Sequence, residues 1–168
     1  GLQAIRRDTG LAALDRFEAH ADALRARWAD PAGMTLLHGD LNPTNVLTPH
    51  DADGPPLFLD RQPFDWSLTY GLAVHDLAYA TVPWWSEQEA RALGPAVLRA
   101  WHDALDVDDY PWARAQHDWA LSVEQCLHVP IEWCREPADV ELMRWLWSAQ
   151  LQRVAAAVRA WPWSPGKP

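Results

Sequence analysis

At 168 residues the chain is sized for one domain with a real core, and its 49% hydrophobic and 22% charged shares are those of a soluble globular protein. A formal net charge of -9 opposes nucleic-acid binding, which depends on Lys and Arg neutralising phosphates. No apolar run approaches the roughly 20 residues that span a bilayer, and no basic leader precedes an apolar segment, so neither a membrane span nor a secretion signal is expected.

Leu11, Leu14, Phe17, Ala21, Leu24 and Trp28 fall at three- and four-residue spacing, which predicts a long amphipathic helix over 2–29, interrupted near Thr9-Gly10. Asp30-Pro31-Ala32-Gly33 has the turn chemistry to stop it, and Met34 to Leu37 is a short apolar run leading into His38. Residues 45–48 and 57–60 predict two short strands, joined as a hairpin by the loop-forming stretch 49–56. From Ala73 the chain reads as helical. One helix covers 76–82 and is stopped by Pro83. The next starts on a capping box of Ser86 and Glu89 and turns Ala92, Leu93, Val97, Leu98 and Trp101 inward. Two more are predicted over 110–129 and 139–161, the last with Val140, Met143, Trp147, Leu151, Val154 and Val158 on one face, and 163–168 reads as a tail. Cys126 and Cys134, eight apart on helix, are too distant to bridge and read as buried free thiols of a cytoplasmic protein.

Phosphoryl transfer needs a carboxylate beside the acceptor hydroxyl and hard oxygen ligands for Mg²⁺ next to the phosphates. Asp40 in a tight loop, Asn45 five residues on and Asp60 on the far arm of the hairpin supply that set. His38, two before Asp40, is placed to brace the loop by bonding backbone.

The run His38-Gly39-Asp40-Leu41-Asn42-Pro43-Thr44-Asn45 matches the kinase catalytic-loop pattern His-x-Asp-Leu-x-x-x-Asn. With Gly between His and Asp it resembles the aminoglycoside phosphotransferase and small-molecule kinase family rather than protein kinases. Leu57-Phe58-Leu59-Asp60-Arg61-Gln62 resembles that family's metal-binding strand end, and Gly71 to Ala78 resembles the segment that buttresses its catalytic loop. The resemblance covers roughly 2–161, with the specific motifs confined to 34–79.

That resemblance implies a mainly α fold: the helical C-terminal lobe of a protein-kinase-like fold over residues 1–162, with a small β-hairpin carrying the metal-binding residues. It implies Asp40 as catalytic base, Asn45 and Asp60 as Mg²⁺ ligands, Asp76 as anchor of the loop backbone and His38 as its brace. ATP or GTP would be the co-substrate and a small-molecule hydroxyl the acceptor, with aminoglycoside, amino alcohol, sugar and macrolide all compatible. Glu124, Glu132 and Glu136 are candidates for a substrate groove, because related enzymes bind polyamine sugars on that side. Arg61-Gln62 departs from the Phe-Gly of protein kinases, so no activation switch transfers. The family's nucleotide-binding half does not precede the first helix, and Lys167, the only lysine, sits in the tail. The N-terminal lobe is therefore expected to be absent and this chain inactive alone; starting on Gly1 rather than Met, it is expected to begin at a cut.

Blander readings apply elsewhere. His75 reads as packing or capping, His102, His117 and His128 as surface or satisfied histidines, and Asp103, Asp106, Asp108 and Asp109 as a solvated loop. Most of the 12 tryptophans read as core, with Trp84-Trp85 the pair placed to line a pocket or a docking face. Two rival functions remain open. One is a non-catalytic binding or interaction module that pairs with a separate N-lobe or self-associates; the other is a metal-dependent hydrolase using Asp40, Asn45 and Asp60.

Overall fold

The computed structural model describes residues 21–50, 53–60 and 69–161. The start of the predicted first helix, Arg61-Gln62 and Lys167 lie outside these residues. The architecture is mainly helical, 60%, with two small two-stranded antiparallel sheets. Among the described residues no helix is long and apolar enough to cross a membrane.

Residues 21–28 are helical and end at the Asp30 turn, as the periodicity predicts. Strand β1 (Met34–Leu36) then pairs with β4 (Tyr70–Leu72), Met34 opposite Leu72 and Leu36 opposite Tyr70. Between them, β2 (Val46–Leu47) and β3 (Leu57–Phe58) form the expected hairpin, Val46 opposite Phe58. The helices are α1 (Val74–Thr81), α2 (Glu87–Asp103), α3 (Trp112–Gln125), α4 (His128–Trp133), α5 (Pro137–Leu142) and α6 (Arg144–Ala160). Helix α3 is central, packing against α1, α2 and α6. Trp119 and Leu121 from α3 and Trp147 and Leu151 from α6 are fully buried between them.

Three expectations need correction. The helix predicted over 110–129 ends at Gln125, and the one over 139–161 is divided at Met143, because the apolar period runs on across both breaks. The inward face of α2 carries Ala90, Gly94 and Leu98, whereas Ala92 and Leu93 are exposed. Gly94 sets that rotation: a Cβ there would stand 2.8 Å from the Trp161 ring, so the missing side chain is the space the tryptophan occupies. Tyr70–Leu72 is a strand that local pattern did not predict. The capping box is present, with Ser86 Oγ accepting from Glu89 N–H and Glu89 accepting from Ser86 N–H.

A buried ion pair clamps the leading helix to α3. The Arg27 guanidinium donates to both oxygens of Asp118 at 2.7 Å, and to the carbonyls of Asp30 and Ala32. The Tyr110 hydroxyl donates to Asp118 at 2.7 Å, and Arg114 pairs with Asp30. Burial alone would raise the Asp118 carboxyl, but hydrogen bonds from His117, Arg27 and Tyr110 outweigh it and hold the group ionised. Deleting one partner of this pair strands a buried charge. Arg27→Met should therefore cost about 3–5 kcal/mol in urea unfolding, and Arg27→Met with Asp118→Leu much less; equal losses would show that the ion pair itself is not the clamp.

Candidate active site

The site is built on a loop that could not stand without a remote carboxylate. After β1 the chain turns at Gly39, whose φ of 80° is the left-handed conformation that glycine adopts without strain. The turn leaves two successive N–H groups pointing one way, and Asp76 on α1 takes both, His38 N–H at 2.6 Å and Gly39 N–H at 3.0 Å. His38 Nδ1 accepts from Asp40 N–H at 3.3 Å, which leaves Nε2 carrying the proton and donating to the Leu59 carbonyl at 2.8 Å. The brace read from sequence therefore reaches across to the end of β3.

Asp40 is fixed by side-chain donors. Asn42 Nδ2 reaches Oδ1 at 3.0 Å, and the Tyr79 hydroxyl reaches the same oxygen at 3.2 Å. Asn45 Nδ2 donates to the Asp40 carbonyl at 2.9 Å and stands 3.4 Å from Oδ2. Asn42 also caps the short 3-10 turn Pro43–Asn45, accepting from Thr44 N–H, so one side chain shapes the turn and steadies the carboxylate. Burial first, then the adjacent Asp40 carboxylate, push the Tyr79 phenol well above its usual range, so it stays protonated and donates.

The hairpin ladder ties the residue before Asp60 to this group: Leu59 N–H donates to the Asn45 carbonyl at 2.8 Å, and Asp60 follows at φ 57°, exposed. An amide oxygen and a carboxylate are hard donors suited to Mg²⁺, which binds through few protein ligands and completes its shell with phosphate and water. Asn45 and Asp60 thus fit that ion in chemistry. No group of three or more His, Cys, Asp or Glu placed to hold a metal occurs among the described residues.

Asp40 opens on a cleft of about 780 Å³ whose walls include His75, Tyr79, Gln125, Glu132 and Glu136. Of the acidic residues singled out on the later helices, Glu132 and Glu136 stand in this cleft, Glu132 paired with Arg135 at 2.9 Å. Glu124 is buried, 1% exposed, in the last turn of α3 and outside the lining. Sequence reasoning missed Tyr79 and Asn42, although Asn42 stands inside the motif. It also set His75 aside; the ring is buried, stacks on Tyr79 with centroids 6.5 Å apart, and forms part of the cleft wall. Trp84 and Trp85 are half-buried, and Trp84 Nε1 donates to the Tyr79 carbonyl at 3.0 Å, bracing that residue from behind. Cys126 and Cys134 are buried free thiols.

No protein-family model, no curated protein and no solved structure matches the chain.

Burial, and secondarily the nearby His128, hold the His75 imidazole down to about 3, below its ordinary 6.5. The unfolded chain binds that proton over the interval between, so the stability present above about pH 6.5 is lost as pH falls toward about 3. The urea midpoint should drop between about pH 6.5 and 5, above the range where ordinary carboxylates dominate, and His75→Gln should flatten that drop. An unchanged slope in the variant would mean that the ring is hydrated in the folded state.

Proposed function

We propose that the chain is the acceptor and metal side of a phosphotransferase that moves the γ-phosphoryl group of ATP or GTP to a hydroxyl of a small molecule. The observation that carries this reading is the Asp40 carboxylate, open to a cleft of about 780 Å³ on a loop that Asp76 pins by two N–H groups. On the same reading the helices are the C-terminal lobe of a protein-kinase-like fold, and the β2–β3 hairpin carries its metal-binding residues. The groups that hold the nucleotide would come from a second lobe, supplied by adjoining sequence or by a separate chain.

The chemistry asked of these residues is mainly positioning. Oδ1 of Asp40 is occupied by Asn42 and Tyr79, while among the described residues Oδ2 has only the long contact to Asn45. Oδ2 is therefore the oxygen that receives the acceptor hydroxyl, aligns its lone pair and takes its proton as the new P–O bond forms and the bond from the γ-phosphorus to the β–γ bridging oxygen breaks, releasing the nucleoside diphosphate. Mg²⁺ held by Asn45 and Asp60 would neutralise charge on the phosphates. The His38 bond to the Leu59 carbonyl ties the base-bearing loop to the strand end that presents Asp60, so that base and metal ligands keep one register.

A second reading is favoured by one observation. Leu36, Leu47, Leu57, Phe58 and Tyr70, all on the two small sheets, are exposed. Such apolar strand surface suits an interaction module that binds a separate N-lobe or another copy of itself.

Asp40→Asn keeps the shape and the donors' partner atom but removes the base. In assays of phosphate transfer from ATP to small-molecule alcohols, with the adjoining or partner lobe present, it should lower turnover about 10²–10⁴-fold with an unchanged unfolding midpoint. Turnover equal to the unaltered protein would sink the assignment. Asn45→Ala and Asp60→Ala should instead raise the Mg²⁺ concentration needed for half-maximal rate.

A further inference from the structure

Three side chains hold Asp40, and they do not hold it to the same thing. Asn42 and Asn45 stand two and five residues along the same loop, so their bonds to Asp40 travel with the loop whenever it shifts. Among the described residues only Tyr79 reaches the carboxylate from another element, its hydroxyl donating to Oδ1 at 3.2 Å from 39 residues away. Tyr79 also lines the cleft on which Asp40 opens. The direction of the carboxylate relative to the cleft wall is therefore set by one hydroxyl.

Tyr79 is itself firmly placed. It is 9% exposed, its ring stacks on His75 with centroids 6.5 Å apart, and Trp84 packs edge-on against it at 6.5 Å. Trp84 Nε1 donates to its carbonyl at 3.0 Å, and Asp76, three residues earlier on α1, holds the loop backbone. One helix thus fixes both the main chain of the loop and the orientation of the carboxylate it carries.

A fixed direction matters more to one nucleophile than to another. An alcohol lodged in the cleft presents its hydroxyl at one place and one angle, and a carboxylate that turns away loses the near-attack geometry. Water has no such lodging and follows the carboxylate as it turns. In either case the bond from the γ-phosphorus to the β–γ bridging oxygen breaks and releases the nucleoside diphosphate. The new P–O bond forms to the alcohol oxygen or to the water oxygen, and the proton of that oxygen passes to Asp40 Oδ2.

We propose that Tyr79 sets the partition between transfer to an acceptor alcohol and hydrolysis of the nucleotide, by holding the Asp40 carboxylate in register with the cleft wall. This rests on reading the cleft as the acceptor side of a phosphotransferase. Tyr79 is a positioning residue that acts through Asp40. Its role is the same whatever charge the acceptor carries against Glu132, Glu136, Asp139, Arg135 and His128 in the same lining.

Two measurements test this, the first on the chain by itself. With ¹³C and ¹⁵N labelling, the three-bond couplings from Asp40 Cγ to its backbone nitrogen and carbonyl carbon should report a single χ1 rotamer. In Tyr79→Phe, which keeps the ring and removes only the hydroxyl, they should move toward rotamer-averaged values. The second measurement reads phosphorylated alcohol and free phosphate from γ-labelled ATP or GTP in one reaction. It is made with the adjoining or partner lobe present and with kanamycin, ethanolamine, glucose or erythromycin as acceptor. Tyr79→Phe should lower the ratio of phosphorylated alcohol to free phosphate about three- to tenfold, the worth of one hydrogen bond. A merely structural loss would lower both products together, and that result overturns the proposal, as do averaged couplings in the unaltered chain. If Tyr79→Phe fails a circular-dichroism check of folding, Trp84→Phe, which removes the donor to the Tyr79 carbonyl, decides instead and should lower the ratio in the same direction. Transfer by the unaltered protein with an unchanged ratio in the variant removes the partition and keeps the phosphotransferase reading. An Asp40 rotamer that depends on Tyr79, with none of the four alcohols phosphorylated, removes that reading and the partition with it.

Discussion

The carboxylate of Asp76 is the constraint on which the site depends. Two consecutive backbone N–H groups, exposed by the left-handed turn at Gly39, converge on its two oxygens at 2.6 and 3.0 Å. Without that acceptor the turn would leave both donors unpaired in a half-buried loop, and Asp40 would lose its fixed position relative to the cleft. The β1–β4 pairing makes the contact possible. It lays Tyr70–Leu72 along Met34–Leu36, after which α1 folds back across the strand and carries Asp76 to the loop.

Helix α1 is short, Val74–Thr81, yet each of its faces has a separate task. Val74 and Ala78 enter the core, Asp76 holds the loop, and His75 and Tyr79, four residues apart, stand side by side in the cleft. Because these tasks share one rigid turn and a half of helix, a rotation of α1 would displace the loop anchor and the cleft wall together. The packing of α1 against α3 opposes that rotation.

What was legible in the sequence was mostly what short-range chemistry determines. The hairpin of β2 and β3, the Ser86–Glu89 capping box and the stop at Asp30 follow from neighbours a few residues apart, and all are present. The proximity of Asn45 to Asp40 was legible for the same reason. Tyr70-Gly71-Leu72 carries no alternation of its own and becomes a strand because β1, more than thirty residues earlier, offers its edge. The face of α2 was misread because hydrophobicity favours Leu93, whereas the packed position is Gly94, where Trp161 needs room. Tyr79 carried no signal of its own in the sequence; its hydroxyl's partner, Asp40, is 39 residues away and invisible to periodicity. His75 was set aside on the general habits of histidine, and only its place in the cleft wall beside Tyr79 distinguishes it from a packing residue.

The clamp between Arg27 and Asp118 has a kinetic consequence. It joins residues 91 apart in sequence, so closing it requires the intervening chain to be already condensed. A bond made that late contributes little to the rate of folding and most of its worth to the rate of unfolding. On that account the leading helix would act as a latch, its release governing how long the assembled protein persists, a separate quantity from how readily it forms.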